Sequence, residues 1–236
     1  MRSMHASSSA GHTTAVPLRG PRRMIADKMV ASLREAAQLT HHATAQASAL
    51  VAAKQSCADA GENVSIEDLV MFATIRTLAD FPQLNARLVN QEVHTGPQVH
   101  LSIAIALPGD LLVAPAIFDA QDLSLTELRA ARQDLARRAK VNKLTVSEMT
   151  GGTFTISNLG LTRVEHFTPI LNIPQVAILG LGRMVERPVN CADGSIAFAP
   201  HLGLSLTFDH RAVDGAPAAA FLTALCITIE SGAIFA

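Results

Sequence analysis

The chain has 236 residues, of which 49% are hydrophobic but only 4% aromatic, so its core must be built mainly from aliphatic side chains. The 19 basic and 20 acidic residues leave a net charge of −1, without the positive excess by which proteins bind nucleic acid or an anionic membrane. No run of about 18 apolar residues occurs and the cysteines are far apart without a CxxC pair, so we predict no membrane span, disulfide framework or metal site.

The N-terminal region divides into a polar segment and a helix. The first 16 residues are rich in Ser, Ala, His and Thr and lack the apolar segment of a secretory signal. We predict that residues 1–16 form a flexible tail or a linker remnant and that one domain extends over residues 17–236. Pro21 suits the first turn of a helix, which is continued to about residue 39 by apolar residues at every fourth position: Ile25, Met29 and Leu33.

The central part of the chain mixes strand and helix patterns in an irregular order. Two helices begin with a serine and a carboxylate three residues later, which is the pattern of an N-terminal capping box or close to it. Because hairpins make most of the connections, we predict an α+β fold, a two-layer sandwich with a mixed sheet. The predicted strands are 40–47, 85–93, 99–107, 111–117, 152–157 and 175–180; the predicted helices are 49–60, 66–80 and 124–138.

A strand and a helix near the C-terminus flank a histidine. Leu204, Leu206 and Phe208 alternate with polar residues at the two-residue period of a strand whose faces differ. Pro217 and the apolar residues after it indicate a helix that begins just after Gly215, so His210 lies on the turn between the two elements. An imidazole fixed on such a turn is suited to act as a general base near neutral pH.

Another pair of histidines, His41 and His42, stands on the predicted strand 40–47. Neighbouring residues of a strand point to opposite faces, so one metal ion cannot easily take both side chains. The pair therefore does not change the prediction that the chain has no metal site.

The motif at His210 has the form His-x-x-x-Asp-Gly, which is weak by itself because it has many chance occurrences. A second block at 151–160 reads GGTFTISNLG, and FTPI at 167–170 and PQVAILG at 174–180 follow it. With these segments, and others at 22–26, 81–86 and 112–115, residues from about 17 to about 225 resemble the catalytic domain of the dihydrolipoamide acyltransferases. These are the E2 components of 2-oxo-acid dehydrogenase complexes, and the resemblance implies the fold of chloramphenicol acetyltransferase.

The resemblance implies acyl transfer between dihydrolipoamide and coenzyme A by direct thiol attack. His210 would be the general base, and the Ser157 hydroxyl would stabilise the oxyanion, with the two residues supplied by neighbouring subunits around a threefold axis. A hydroxyl at a strand end also bonds its own backbone in many proteins, and Thr155 and Asn158 are the nearest alternative donors. Asp214 is expected to hold the turn or to form an ion pair with one of two arginines, Arg22 or Arg23.

The resemblance also implies partners. Coenzyme A would be a substrate, and the lipoyl group would come from a separate domain or chain. We expect a homotrimer or a larger multiple of trimers that works with a lipoyl-domain protein and with the E1 and E3 components, and neither nucleic acid nor a membrane as partner. The expected location is the cytoplasm, or the mitochondrial matrix for a eukaryotic source. Asp214 slightly favours a succinyl or branched-chain acyl group over acetyl.

Two other functions fit part of the pattern. The first is an acetyl-coenzyme A-dependent acetyltransferase that acts on a small molecule, which would share the His-x-x-x-Asp-Gly motif but not the block at 151–160. The second is a catalytically inactive E2-like scaffold or core protein, against which the presence of both His210 and Ser157 argues. A peptide-synthetase condensation domain would require a second histidine where Asp209 stands.

Overall fold

The computed structural model describes residues 14–109 and 111–235, so nearly all of the predicted tail at 1–16 lies outside the described residues. The domain boundary at residue 17 therefore stays a prediction. The helices are α1 (Gly20–Glu35), α2 (Ser48–Asp59), α3 (Ile66–Leu78), α4 (Leu125–Lys140), α5 (Val146–Thr150) and α6 (Gly215–Ser231), with short 3-10 helices at Ala120–Asp122 and Ala233–Phe235. None of the helices in the described part of the chain is long and apolar enough to cross a membrane.

The strands form one large mixed sheet and two hairpins, which confirms the predicted α+β fold. The main sheet has the order β1-β10-β9-β8-β4-β7, in which β8 runs parallel to both β4 and β9 and the other pairs are antiparallel. The hairpins are β2–β3 and β5–β6. The strands are β1 (Gln38–Gln46), β2 (Ala86–Val89), β3 (Glu92–Thr95), β4 (Leu101–Ile103), β5 (Ile105–Leu107), β6 (Leu111–Val113), β7 (Ala116–Ile117), β8 (Phe154–Asn158), β9 (Ala177–Asn190) and β10 (Ile196–Asp209).

The two faces of the main sheet differ in chemistry, as the alternation along β10 predicts. Leu204, Leu206 and Phe208 are fully buried in one hydrophobic cluster that includes Phe221 and Leu225 of α6. Helices α2 and α3 pack against α6 on this side and complete the second layer. The residues between them on β10 are polar and form the opposite face, which no long helix covers within the described residues.

The chain segment that contains Val164 and Glu165 crosses this polar face in contact with the strand backbones. Two glycines leave the space that this contact needs. A Cβ atom at Gly182 would lie 1.8 Å from the backbone oxygen of Glu165, and one at Gly203 would lie 2.0 Å from the same atom. The Arg183 amide donates to the Val164 oxygen at 2.8 Å and fixes the segment in place. The glycines are therefore required by close approach of two backbones.

Both predicted capping boxes are present. The Ser65 hydroxyl accepts from the Asp68 amide at 3.2 Å, and the Asp68 carboxylate accepts from the Ser65 amide at 2.9 Å. Ser124 and Glu127 repeat the arrangement at the start of α4. The shorter aspartate thus replaces the usual glutamate at the α3 cap without loss of either hydrogen bond.

Several predicted boundaries are wrong. The predicted strand 85–93 is the β2–β3 hairpin, because Asn90 and Gln91 have φ of +51° and +66° and turn the chain back. The predicted strand 99–107 breaks at Ala104, whose amide still bonds Ile156 of β8 while Ile105 pairs with Val113. The first helix ends four residues early, β9 continues ten residues beyond the predicted end, and α5 was not predicted.

Candidate active site

His210 lies at the point where the sheet meets a helix. Strand β10 ends at Asp209, and α6 begins at Gly215 with Asp214 as its N-cap residue. The imidazole is about half exposed, its Nδ1 atom is 3.7 Å from the Asp214 Oδ1 atom, and its ring lies against Phe208 with the centroids 5.9 Å apart. The side chain is thus mounted on a rigid turn while the ring remains open to solvent.

The residues on either side of His210 are joined to each other. The Asp209 carboxylate, which is 2% exposed as a residue, accepts from the Arg211 guanidinium at 3.0 Å and 2.6 Å and from the Arg211 amide at 3.1 Å. It also accepts from the Ala37 amide at 3.3 Å, and the Ala37 oxygen accepts from the His210 amide at 2.9 Å. Burial by itself would raise the pKa of Asp209, but the hydrogen bonds from Arg211 hold the pKa below its usual value.

Asp214 is an exposed residue, and the side chain described beside its carboxylate is that of His210. Arg23 lies beside Asp27, one turn further along α1, with 3.7 Å between Nε and Oδ2. Within one chain, Asp214 therefore lies beside His210, whereas the Arg23 guanidinium lies beside Asp27. An ion pair of Asp214 with Arg22 or Arg23 stays a prediction.

Ser157 occupies the penultimate position of β8 and is partly buried. In the part of the chain that the structure describes, its hydroxyl makes no hydrogen bond, so the alternative in which it bonds its own backbone is not found. Of the two alternative donors, the buried Thr155 hydroxyl is engaged, because it donates to the Gln175 Oε1 atom at 2.5 Å. The Asn158 side chain accepts from the Gly160 amide through its Oδ1 atom at 2.7 Å, so its NH2 group stays an alternative donor. Ser157 is therefore the hydroxyl available to a ligand on this strand.

The sheet register separates Ser157 from His210. Ser157 is opposite Gly180 of β9, and Gly180 is opposite Ser205 of β10, five residues before His210. With a rise of about 3.3 Å per residue and about 4.8 Å between strands, the two residues are roughly 16 Å apart along the strands and 10 Å apart across them. A separation of about 19 Å follows, so a single chain does not bring Ser157 and His210 to one reacting group.

A cleft of about 210 Å³ adjoins the turn that carries His210. Glu35 and Arg211 place opposite charges on its wall, and the Arg211 guanidinium remains half exposed despite its bond to Asp209. The cleft is lined by Glu35, Leu88, Ile173, Pro174, Gln175, Asp209 and Arg211.

The two remaining histidines of interest point to opposite faces, as predicted for neighbours on a strand. His41 packs edge-on against Phe208 with ring centroids 5.0 Å apart, whereas the His42 Nδ1 atom is 2.9 Å from the Ser205 hydroxyl on the polar face. Among residues 14–109 and 111–235, no group of three histidine, cysteine or acidic side chains is arranged to hold a metal ion.

Comparison with known proteins identifies the family. The family model for the 2-oxoacid dehydrogenases acyltransferase catalytic domain matches residues 10–233. The chain belongs to this family. The match includes both the turn that carries His210 and the strand that carries Ser157, which are the segments on which the resemblance was based.

Curated relatives of this acyltransferase-family chain are longer proteins. It is 40% identical over 223 residues to the dihydrolipoyllysine-residue acetyltransferase component of the acetoin cleaving system of Bacillus subtilis, covering 92% of this chain and 56% of that protein. It is 35% identical to the corresponding component of the mitochondrial pyruvate dehydrogenase complex of Schizosaccharomyces pombe, covering 95% of this chain and 47% of that protein. The chain thus spans about half the length of these relatives.

Solved structures of the family share the fold over its whole length. The dihydrolipoamide acetyltransferase of Azotobacter vinelandii has a TM-score of 0.87 at 30% identity, covering 100% of this chain and 99% of that chain. The cubic core of a pyruvate dehydrogenase multienzyme complex gives 0.86 at 29% identity with the same coverage. A chloramphenicol acetyltransferase covers 87% of this chain and 93% of its own at 14% identity and a TM-score of 0.56, which shows a common fold alone.

Two features of the site were missed at the level of sequence. The Asp209–Arg211 bond was not predicted, although the presence of an aspartate and an arginine on either side of a histidine was a signal that could have suggested it. The approach of residue 165 to Gly182 and Gly203 was also not predicted, because glycines that meet a distant backbone look like any other glycine in a strand.

Proposed function

We propose that this domain transfers an acyl group between dihydrolipoamide and coenzyme A. The observation that carries the proposal is that a chain of this family has both a solvent-exposed imidazole, at His210, and a hydroxyl without a hydrogen-bond partner among the described residues, at Ser157. The reported study of the Azotobacter vinelandii enzyme concerns the roles of a serine, a histidine and an asparagine in catalysis, with the last two residues four positions apart. Asp214 likewise follows His210 by four positions.

The proposed reaction begins at the imidazole of His210. With Nδ1 turned toward Asp214, the Nε2 atom accepts the proton of the attacking thiol. A free thiol and a free imidazole differ by about two pKa units, or roughly 2.7 kcal/mol, which an aligned base can overcome. The sulfur lone pair then forms a carbon–sulfur bond with the thioester carbonyl carbon, and the carbonyl electron pair moves to the oxygen.

Ser157 supports the tetrahedral intermediate. Its hydroxyl donates a hydrogen bond to the negative oxygen, and one donor of this kind contributes about 2.7–4 kcal/mol to transition-state stabilisation. When the oxygen pair returns, the bond to the original thioester sulfur breaks, and the departing thiolate takes the proton from the imidazolium of His210. Atoms and charge balance without a covalent acyl-enzyme or a further reactant.

The separation of about 19 Å between the two residues supports an assembly in which copies share each site. We propose a homotrimer in which His210 of one copy faces Ser157 of its neighbour, with a larger shell of trimers like the cubic core of the related complex as a further level. The lipoyl group is proposed to come from a separate domain or chain, with E1 and E3 components as partners. Bacterial and mitochondrial relatives support a cytoplasmic or matrix location.

Acetyl is the acyl group we propose. The relatives at 40% and 35% identity are named as acetyltransferases, and a relative at 34% identity from Saccharomyces cerevisiae is named as a succinyltransferase. These names outweigh the slight preference for succinyl or branched-chain groups that Asp214 suggested. The order of rates with acetyl-, succinyl- and isobutyryl-coenzyme A decides among them.

The test measures acyl transfer from each of these donors to free dihydrolipoamide, with the particle mass in solution determined alongside. The wild-type protein, His210→Ala and a matched control, His201→Ala, are compared; His201 stands on β10, where its Nδ1 atom is 2.8 Å from the Ala199 oxygen. Activity lost only in His210→Ala, in a particle of three copies or a multiple, supports the proposal. A folded oligomer that shows no transfer with any donor overturns it and favours a scaffold.

A further inference from the structure

We propose that Asp209 and Arg211 act together as a positioning pair for His210, and that their bond sets the rate of acyl transfer instead of the affinity for either substrate. The proposal rests on the proposed role of His210 as the base. It assigns no contact with the reacting atoms to either residue. The ion pair between Asp209 and Arg211 fixes the backbone on both sides of His210.

The bonds around His210 form a closed frame. Asp209 and Arg211 are its immediate neighbours, and their side chains meet through three guanidinium hydrogen bonds, while the Asp209 Oδ1 atom also accepts a hydrogen bond from the Arg211 amide. The Ala212 and Val213 amides donate to the Asp209 backbone oxygen at 2.9 Å and 3.1 Å. The peptide units on both sides of His210 therefore have defined hydrogen-bond partners.

The frame is also attached to a second part of the fold. Ala37, in the connection between α1 and β1, donates to the Asp209 carboxylate and accepts from the His210 amide. The pairing of β1 with β10 begins at Gln38 and Asp209. The connection that contains Ala37 therefore lies at the end of the sheet next to His210. A displacement of Asp209 would thus move His210 relative to the sheet that carries Ser157 in a neighbouring copy.

Arg211 is required because the carboxylate is buried. An ionised carboxylate out of water needs its hydrogen bonds and its counter-charge, and removal of one partner leaves the other uncompensated. The planar guanidinium meets both carboxylate oxygens at once, whereas a lysine ammonium supplies a point charge without that geometry. Lysine should therefore retain the charge but only part of the orientation.

The test uses Arg211→Gln, Arg211→Lys and Asp209→Asn in the acyl-transfer assay. Misplacement of a catalytic group by about 1 Å can reduce a rate about 100-fold. We expect kcat to fall about 10- to 100-fold in Arg211→Gln and in Asp209→Asn, with KM for acetyl-coenzyme A and for dihydrolipoamide within about twofold of wild type. Arg211→Lys should recover a substantial part of kcat, since it keeps the charge.

An equivalent ion pair elsewhere in the molecule supplies the matched control. Asp68, which is fully buried, accepts from Arg132 at 2.6 Å and 3.1 Å between α3 and α4, with none of the contacts to the His210 turn. Arg132→Gln and Arg132→Lys should lower the melting temperature without a change in kcat. The comparison separates a loss of stability, which both pairs should show, from a loss of rate, which only the pair at His210 should show.

Three outcomes overturn the proposal. The first is a folded Arg211→Gln protein with wild-type kcat; the second is an unchanged kcat with a raised KM, which would make Arg211 a substrate-binding residue of the adjoining cleft. The third is a kcat loss of equal size in Arg132→Gln. If Asp209→Asn does not fold, the two Arg211 variants still decide the question. If the wild-type protein showed no transfer activity, that result would instead refute the proposed function itself.

Discussion

Ser157 and His210 are held by the same sheet at a separation of about 19 Å, two strands and five residues apart in register. Both side chains are accessible, and neither is paired with the other. The sheet is too rigid to bring them together within one chain, because its strands are fixed by continuous backbone hydrogen bonding.

Two inactive variants should restore each other. When His210→Ala and Ser157→Ala chains are co-assembled in equal amounts, each site of a cyclic trimer takes its histidine from one copy and its serine from the next. About one site in four then receives both intact residues, so the mixture should show about a quarter of wild-type activity. The measurement is the transfer rate of mixed particles whose composition is verified by native mass spectrometry.

The control for this experiment is a mixture of separately assembled variants, in which no exchange has occurred. At the same total amount of protein, its rate should equal the mean of the two parent rates. If co-assembled particles that contain both chains also show only that mean, the site does not lie between copies.

Loss of the Ser157 hydroxyl should reduce the rate and leave substrate binding intact. Ser157→Ala removes one oxyanion donor, which typically reduces kcat about 10²- to 10³-fold. Because the oxyanion exists only in the intermediate and the transition states around it, KM should change little. Thr153→Ala, at a strand-entry hydroxyl that bonds Asn85, serves as the comparison and should not reproduce the loss of kcat. A raised KM with an unchanged kcat would assign Ser157 to ground-state binding.

A methyl group at Gly182 should destabilise the fold. The added Cβ would lie 1.8 Å from the Glu165 backbone oxygen, which cannot move without displacing the segment that crosses the sheet. Overpacking of this kind costs about 1–3 kcal/mol or more. Gly96→Ala is the matched control, since its Cβ would meet only the end of the flexible Gln98 side chain at 3.4 Å. Equal melting temperatures for the two variants would contradict the close approach.

The ion pair of Glu148 and Arg138 should stabilise the protein in a pH-dependent way. Hydrogen bonds from Arg138 and, to a smaller extent, Thr145 lower the pKa of Glu148 to about 2. A folded-state pKa below the unfolded value means that the stabilisation is complete above about pH 4.5 and is lost as the pH falls toward 2. Glu148→Gln should therefore lower the free energy of unfolding by about 1–2 kcal/mol at pH 7, while glutamine preserves the helix cap.

The measurement is the difference in melting temperature between wild type and Glu148→Gln at pH 7 and at pH 3.5. The difference should be a few degrees at pH 7 and smaller at pH 3.5, because one kcal/mol corresponds to about 2–4 °C for a domain of this size. Glu92→Gln, at an exposed carboxylate 3.7 Å from His94, should show little difference at either pH. A pH-independent difference for Glu148→Gln would mean that the lost interaction is not ionic.

The local features of the fold were readable from the sequence. The capping boxes at Ser65 and Ser124, the alternation of Leu204, Leu206 and Phe208, and the turn at His210 each depend on residues within a few positions of one another. Backbone geometry imposes a period on such neighbours, so their pattern reports their structure directly. Where a turn required an unusual backbone, as at Asn90, the pattern gave no comparable signal and the prediction failed.

Sequence alone therefore determined the mixed α+β class, the family resemblance and the identity of the two candidate catalytic residues. Only the tertiary structure decided how far apart they are, which hydroxyl of β8 remains unengaged, and that Asp209 is buried against Arg211. These properties depend on strand register and on contacts between segments more than a hundred residues apart, such as Ala37 with Asp209. No local period encodes them, because they arise when separate elements pack into one sheet.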